Sequence, residues 1–300
     1  MLAMDMGTGK SKVAVDICNA RGHRALLISC PKSVLNVWPR EFARHSSNRF
    51  QVVTLGSEEA RSIEQRVRKA EGAIALARAR HEPVVIVVNH EALWRYPFGD
   101  KINKDNRGRV TGIDEGFASR FIWDCLIVDE SHRAKDPQGR LSSYLARLAG
   151  KAGQVLALTG TPMPHSPLDI FAQYRFLDAS IFGQNYNWFR RRYATTAAEA
   201  IQAAACRVAE VRDFNTARAK IRGDNALFLL FLASARQAVN RYIPENVFED
   251  MQDAQGRYKY NALIAFQNSD ELNERFYRIA FRVKAEDALD LPPQIWETRE

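Results

Sequence analysis

Long apolar runs, paired cysteines and low-complexity tracts are all missing from this 300-residue chain. With no stretch of about twenty consecutive apolar residues, nothing is long enough to cross a bilayer as a helix. The 4 cysteines, Cys18, Cys30, Cys125 and Cys206, stand singly. Lacking a C-x-x-C pair, or a histidine at ligand spacing, they indicate neither a disulfide framework nor a zinc site, and a reducing compartment fits. The opening Met1-Leu2-Ala3-Met4-Asp5 has neither the basic nor the apolar region of a signal peptide, so neither secretion nor membrane anchoring is expected. What is present is 46% hydrophobic and 26% charged, the composition of a globular protein with one large or two moderate cores. A formal charge of +8 favours a polyanionic partner, and suits equally a basic protein of no special role.

Against that background the segment Met4-Asp5-Met6-Gly7-Thr8-Gly9-Lys10-Ser11 stands out. Glycines let successive backbone N–H groups turn toward an anion, and a following helix adds its positive end. Gly7, Thr8 and Gly9 would form that cradle. Lys10 would reach the β- and γ-phosphates of a nucleotide, and the Ser11 hydroxyl would ligate the Mg²⁺ that bridges them. Residues 2–4 suit a short strand and 12–20 a helix, the context such a loop requires. One departure is that Met4 stands where the strict G-x-x-x-x-G-K-[ST] pattern has glycine.

A second apolar run, residues 121–128, ends abruptly in Asp129-Glu130. It reads as a buried parallel strand that delivers two carboxylates to its C-terminal end, where sheets of this kind bind ligands. Asp129 would hold the metal shell, and Glu130 would orient or deprotonate an attacking water for in-line phosphoryl transfer.

Further short apolar runs, 25–29, 51–55, 84–88 and 155–159, alternate with helical stretches at 33–45, 58–80 and 141–149. This is βαβ alternation, and it predicts an α/β fold with a doubly wound, mainly parallel sheet. Residues 99–116, rich in Gly, Asp, Asn and Lys, read as a surface loop or small insertion. Beyond 178 strand signals largely stop, and a helical extension is expected. There Arg190-Arg191-Arg192 reads as a solvated face, and 228–239 as an interior helix.

Taken together these segments resemble the N-terminal RecA-like lobe of SNF2-type ATPases in helicase superfamily two, particularly the compact versions of phages and bacteria. Residues 4–11 look like motif I in its D-x-M-G-x-G-K-[ST] style, where the position of Met4 need not be glycine. Ile28-Ser29-Cys30-Pro31-Lys32-Ser33 with Trp38-Pro39-Arg40-Glu41 resembles motif Ia, and Val87-Val88-Asn89-His90-Glu91 motif Ib. Asp129-Glu130-Ser131-His132 is a DESH form of motif II, and Leu158-Thr159-Gly160-Thr161-Pro162 resembles motif III. Residues 271–294 look like the segment that leads into a second lobe.

The resemblance implies a P-loop NTPase that uses ATP and Mg²⁺ to move on double-stranded DNA, held by its phosphate backbone without regard to sequence. It implies that Pro31, Lys32, Ser33, Asn89 and His90 face the strand, and that His132, Thr159 and Thr161 couple the ATP site to it. It divides the chain into a lobe at 1–178, a helical extension at 179–291 and the start of a linker at 292–300. A second RecA-like lobe with a completing arginine is expected downstream. This chain alone is therefore expected to hydrolyse ATP poorly, in the cytoplasm of a bacterial or phage-infected cell and in association with DNA. An RNA helicase, a restriction-system motor subunit and a non-hydrolysing nucleotide-binding interaction module are the alternatives.

Overall fold

A computed structural model describes residues 1–56, 60–239 and 263–288. It divides into two compact units, residues 1–184 with 274–300, and residues 185–273.

The first unit is built on a parallel sheet. β1 (Leu2–Met4), β2 (Ala25–Cys30), β3 (Gln51–Thr54), β4 (Val84–Asn89), β7 (Trp123–Asp129) and β8 (Ala152–Thr159) lie in the order β1-β8-β7-β2-β4-β3. The central strands are β-branched and apolar on both faces, and β4 is buried at every position, as a doubly covered sheet demands. Alternate residues Leu26, Ile28, Val85, Val87, Cys125, Ile127, Leu156 and Leu158 face a core closed by Ala14, Val15 and Cys18 of α1 (Lys10–Ala20) and by Trp38 and Phe42 of α2 (Trp38–His45). Cys18, Cys30 and Cys125 are buried free thiols, serving as small apolar groups. α3 (Ile63–Ala79), started by a Ser62–Gln65 capping box, packs on β3 and β4, and α7 (Ile170–Leu177) on β8.

At the strand N-terminal edge Asp124 ties β7 to β2, its Oδ2 accepting the Arg24 and Ala25 amides at 2.6 and 2.9 Å. The surface loop or small insertion expected at 99–116 takes the form of an antiparallel hairpin, β5 (Lys101–Lys104) with β6 (Val110–Asp114). Its base needs glycine, because a Cβ on Gly116 would overlap the Gly99 carbonyl. α4 (His90–Leu93) precedes the hairpin. α5 (Phe117–Arg120) leads from it into β7, and α6 (Arg140–Leu148) lies between β7 and β8. α8 (Ala179–Phe182) closes the run.

The second unit pairs α9 (Tyr186–Tyr193) and the small antiparallel sheet of β9 (Ala194–Thr196) and β10 (Leu263–Phe266) with three helices. α10 (Ala197–Val208), α11 (Phe214–Gly223) and α12 (Asn225–Val239) share a core of Ala197, Ile201, Ala204, Ala205, Ile221, Phe231 and Leu232. The arginine run is engaged within this unit. Arg190 holds Glu199 at 2.7 Å, Arg192 holds Glu271 at 2.6 Å, and Arg191 is largely exposed. Among the described residues no helix is long and apolar enough to cross a membrane.

The span 179–291 is not one helical extension. After the second unit the chain returns to the first as β11 (Phe281–Val283), which pairs in parallel with β1 and becomes the seventh strand of the sheet. The linker assignment at 292–300 and the Pro-Pro-Gln of the lead-in segment lie outside the described residues.

Candidate nucleotide site

Three neighbouring strands bring the predicted residues to one edge. β8 lies between β1 and β7, with Leu158 opposite both Leu2 and Asp129, and Thr159 opposite Ala3. The loops that follow these strands carry Gly7 to Ser11, Asp129 to His132, and Thr159 to Thr161, and therefore leave the sheet side by side.

Gly7 and Gly9 have φ of 81° and 89°, the left-handed region in which a Cβ is disfavoured, so the loop is one that only glycine follows without strain. Gly9 caps α1, whose first residue is Lys10 and second Ser11. The Lys10 ammonium donates to the Met4 and Asp5 carbonyls at 2.7 and 2.9 Å, folding its side chain back over the loop. Asp5 is fixed from behind by β11. Its amide donates to the Val283 carbonyl at 3.0 Å, and its Oδ2 accepts the Ala285 amide at 3.0 Å. Thr8 closes the turn, its hydroxyl donating to the Asp5 carbonyl at 2.7 Å.

Burial lifts the Asp129 carboxyl to about 6, and the adjacent Glu130 charge adds to the rise. The Glu130 amide, at 2.9 Å from Oδ1, the positive charge of Lys10 and a bond from Trp38 oppose it. Two carboxyls crowded in a partly dry place favour a bound cation, which would hold Asp129 ionised. One carboxylate and the Ser11 hydroxyl suit a metal that keeps waters and phosphate oxygens as its remaining ligands. Among the described residues no three His, Cys, Asp or Glu side chains gather into a metal cage.

Glu130 has left-handed backbone, φ 49° and ψ 51°, so the chain turns sharply after Asp129. His132 Nδ1 sits between the Glu130 carboxylate at 3.2 Å and the Thr159 hydroxyl at 3.0 Å. Burial lowers the imidazole pKa, against the raising effect of Glu130. Thr159 is buried and accepts the Thr161 amide at 3.1 Å, which completes a chain from Glu130 through His132 to the loop after β8.

Two residues with no role assigned from sequence complete this edge. Gln173 of α7 is fully buried. Its Oε1 accepts the Ser131 hydroxyl at 2.8 Å, and its Nε2 donates to the Pro162 carbonyl at 2.7 Å and to the Asp169 carbonyl at 3.1 Å. One amide thus pins the loop after β7 to the loop after β8. Its signal in sequence is a lone amide in the otherwise apolar first turns of Ile-Phe-Ala-Gln-Tyr. The other residue is Asp5, held as described above.

The residues expected to face a strand divide. Lys32 and Ser33 are exposed at the end of β2, whereas Pro31 is buried. Asn89 and His90 do not present their side chains outward, which corrects that expectation. Asn89 accepts the Arg66 guanidinium at 2.8 Å and donates to Glu91 at 2.7 Å, and His90, 3% exposed, meets the Ser29 hydroxyl at 2.7 Å. Burial pushes the His90 imidazole down to about 4, so it is neutral at ordinary pH. The physical reason is that β4 is covered on both faces up to its last residue, so the turn that follows starts inside the protein.

Comparison with known proteins places this geometry in context. Residues 1–273 match the model of the SNF2-related domain. The chain is 29% identical over 188 residues to the CHD3-type chromatin-remodeling factor CHR7 of Arabidopsis thaliana, covering 61% of this chain and 14% of that protein. It is 28% identical over 202 residues to the probable ATP-dependent DNA helicase CHR23 of the same plant, covering 65% and 16%. To the ISWI chromatin-remodeling complex ATPase ISW2 of Saccharomyces cerevisiae it is 26% identical over 199 residues, covering 64% and 15%. The chain therefore spans less than a fifth of the length of these relatives. Among solved structures, the Sulfolobus solfataricus SWI2/SNF2 ATPase core in complex with dsDNA aligns with a TM-score of 0.44 at 19% identity, covering 92% of this chain and 60% of that one. With more than nine-tenths of its residues inside the family match, the chain belongs to the SNF2-related domain family.

Proposed function

We propose that this chain is the ATP-binding lobe of a motor that couples ATP hydrolysis to movement along double-stranded DNA. The observation that carries the reading is the convergence of Lys10, Asp129, Glu130, His132 and Thr159 at the ends of three adjacent strands. Family membership supports it, as does the likeness to a probable ATP-dependent DNA helicase.

In this reading the amides of Gly7, Thr8 and Gly9 receive the phosphates, and Lys10 exchanges one of its carbonyl partners for a phosphate oxygen. Ser11 and Asp129 hold Mg²⁺, which when bound neutralises charge on the phosphates. Glu130 orients the water, and its bond to His132 ties its position to that of Thr159 and Thr161. Lys32 and Ser33 meet the phosphate backbone of the duplex. A second RecA-like lobe supplies the arginine that completes the site. Such a charge is worth about a thousandfold or more in rate, so turnover by this chain alone is slow.

The test is a pair of variants assayed with a fluorescent ATP analogue and for phosphate release, in this chain and in a two-lobed form. Lys10→Ala loses nucleotide affinity. Glu130→Gln keeps it but stops turnover. Wild-type turnover by Glu130→Gln in the two-lobed form refutes the water-orienting role.

A further inference from the structure

With Asn89 and His90 turned inward, the surface around α4 is left to other residues, and they are cationic and aromatic. α4 runs directly into Trp94-Arg95-Tyr96. Two guanidiniums lie on the half-buried Trp94 ring, Arg140 at 5.1 Å from its centroid and Arg95 at 5.5 Å. Tyr96 is exposed, and Arg133, in the turn after Glu130, bears electrostatically on both His90 and Glu91. Arg95, Arg133 and Arg140 are all exposed.

These charges form no close ion pair among the described residues, although the Glu91 carboxylate attracts Arg133 from farther off. No carboxylate among the described residues comes within 4.0 Å of any of the three guanidiniums, and the nearby Glu91 is bonded by the Asn89 amide at 2.7 Å. Nor does helix stability account for Arg140. It is the first residue of α6, where the helix dipole disfavours a cation, and no acid accompanies it in that turn. Two like charges on one indole repel each other, and an anion relieves that repulsion. A guanidinium lying against a ring has its orientation fixed and keeps its N–H edge free for a bidentate phosphate contact.

We propose that Arg95 and Arg140, organised by Trp94, form with Arg133 a phosphate-backbone contact for the nucleic acid on which the motor acts. The proposal rests on the motor reading and names the residues that take the place of Asn89 and His90. The cations come from three elements, α4's exit, the loop after β7 and the start of α6.

The experiment is equilibrium binding of the full chain to a short mixed-sequence DNA duplex across a roughly fourfold range of salt. Removing two phosphate contacts lowers the slope of log affinity against log salt by about 1.8, so Arg95→Gln with Arg140→Gln loses about tenfold less affinity than the parent over that range. Arg133→Gln, which leaves the stacking on Trp94 intact, gives about half that change. Arg120→Ala, at the opposite end of β7, matches the parent, and all variants bind the ATP analogue as the parent does. A parent that binds the duplex with salt-dependent affinity, beside an arginine pair variant of identical slope, overturns this surface and leaves the motor reading standing. A parent with no duplex affinity removes both.

Discussion

Replacing Gln173 by leucine tests whether one buried amide holds two nucleotide-facing loops together. The substitution keeps the volume of the side chain and removes its donor and acceptor. The Ser131 hydroxyl, fully buried, loses its acceptor, and the Pro162 carbonyl loses its donor. A buried polar group left without a partner costs about 1–3 kcal/mol and the half-buried Pro162 carbonyl adds less, so the substitution destabilises the first unit by about 1–4 kcal/mol. Adding Ser131→Ala removes one stranded group, and the double variant should recover about 1–3 kcal/mol of that loss. Urea unfolding followed by circular dichroism, across the four members of the cycle, measures both quantities. A Gln173→Leu cost below about 0.5 kcal/mol, or two substitutions whose effects simply add, refutes the tether.

Two other predictions follow from the backbone and the charges. Gly9→Ala forces a Cβ into left-handed backbone and should cost about 1–2 kcal/mol in stability, with a loss of ATP-analogue affinity from a displaced α1 start; unchanged affinity and stability would deny the loop its required geometry. In the second unit the Arg190 side chain, with help from Thr196, holds the Glu199 carboxyl at about 2, below its ordinary 4.5. The folded state thus prefers the ionised form, and its stabilising effect is fully present above pH 4.5 and is lost as pH falls through 2. Glu199→Gln should flatten the stability profile of α10 over that window, and a profile as steep as the parent's contradicts the assignment.

How much of this was legible in the sequence follows from how far each signal extended. Strands β2, β4, β7 and β8 are continuous apolar runs because both faces of the sheet are covered, and helical composition between them made the βαβ order readable. The glycines of the β1 loop and the acids after β7 announced themselves by residue type, since phosphate and metal chemistry leaves few alternatives. β11 escaped notice. It is 3 residues long, and its Phe281 is 60% exposed, so it has neither length nor alternation to mark it. The hairpin at 101–114 is marked by the Asp105–Gly108 turn, with Gly108 at φ 77°. The inward turn of Asn89 and His90 had no local signal, because it depends on Ser29 and Arg66 from other elements.

Lys10, Ser11, Asp129 and Glu130 are proposed to converge on one triphosphate and its metal. A crystal structure of the chain grown with Mg²⁺ and a non-hydrolysable ATP analogue tests it most directly. The terminal phosphates should lie within hydrogen-bonding reach of Lys10 Nζ, the metal on Ser11 Oγ and an Asp129 carboxylate oxygen, and Glu130 should face the terminal phosphate across a water. Nucleotide bound away from the ends of β1 and β7, or a metal that Asp129 does not touch, would contradict it.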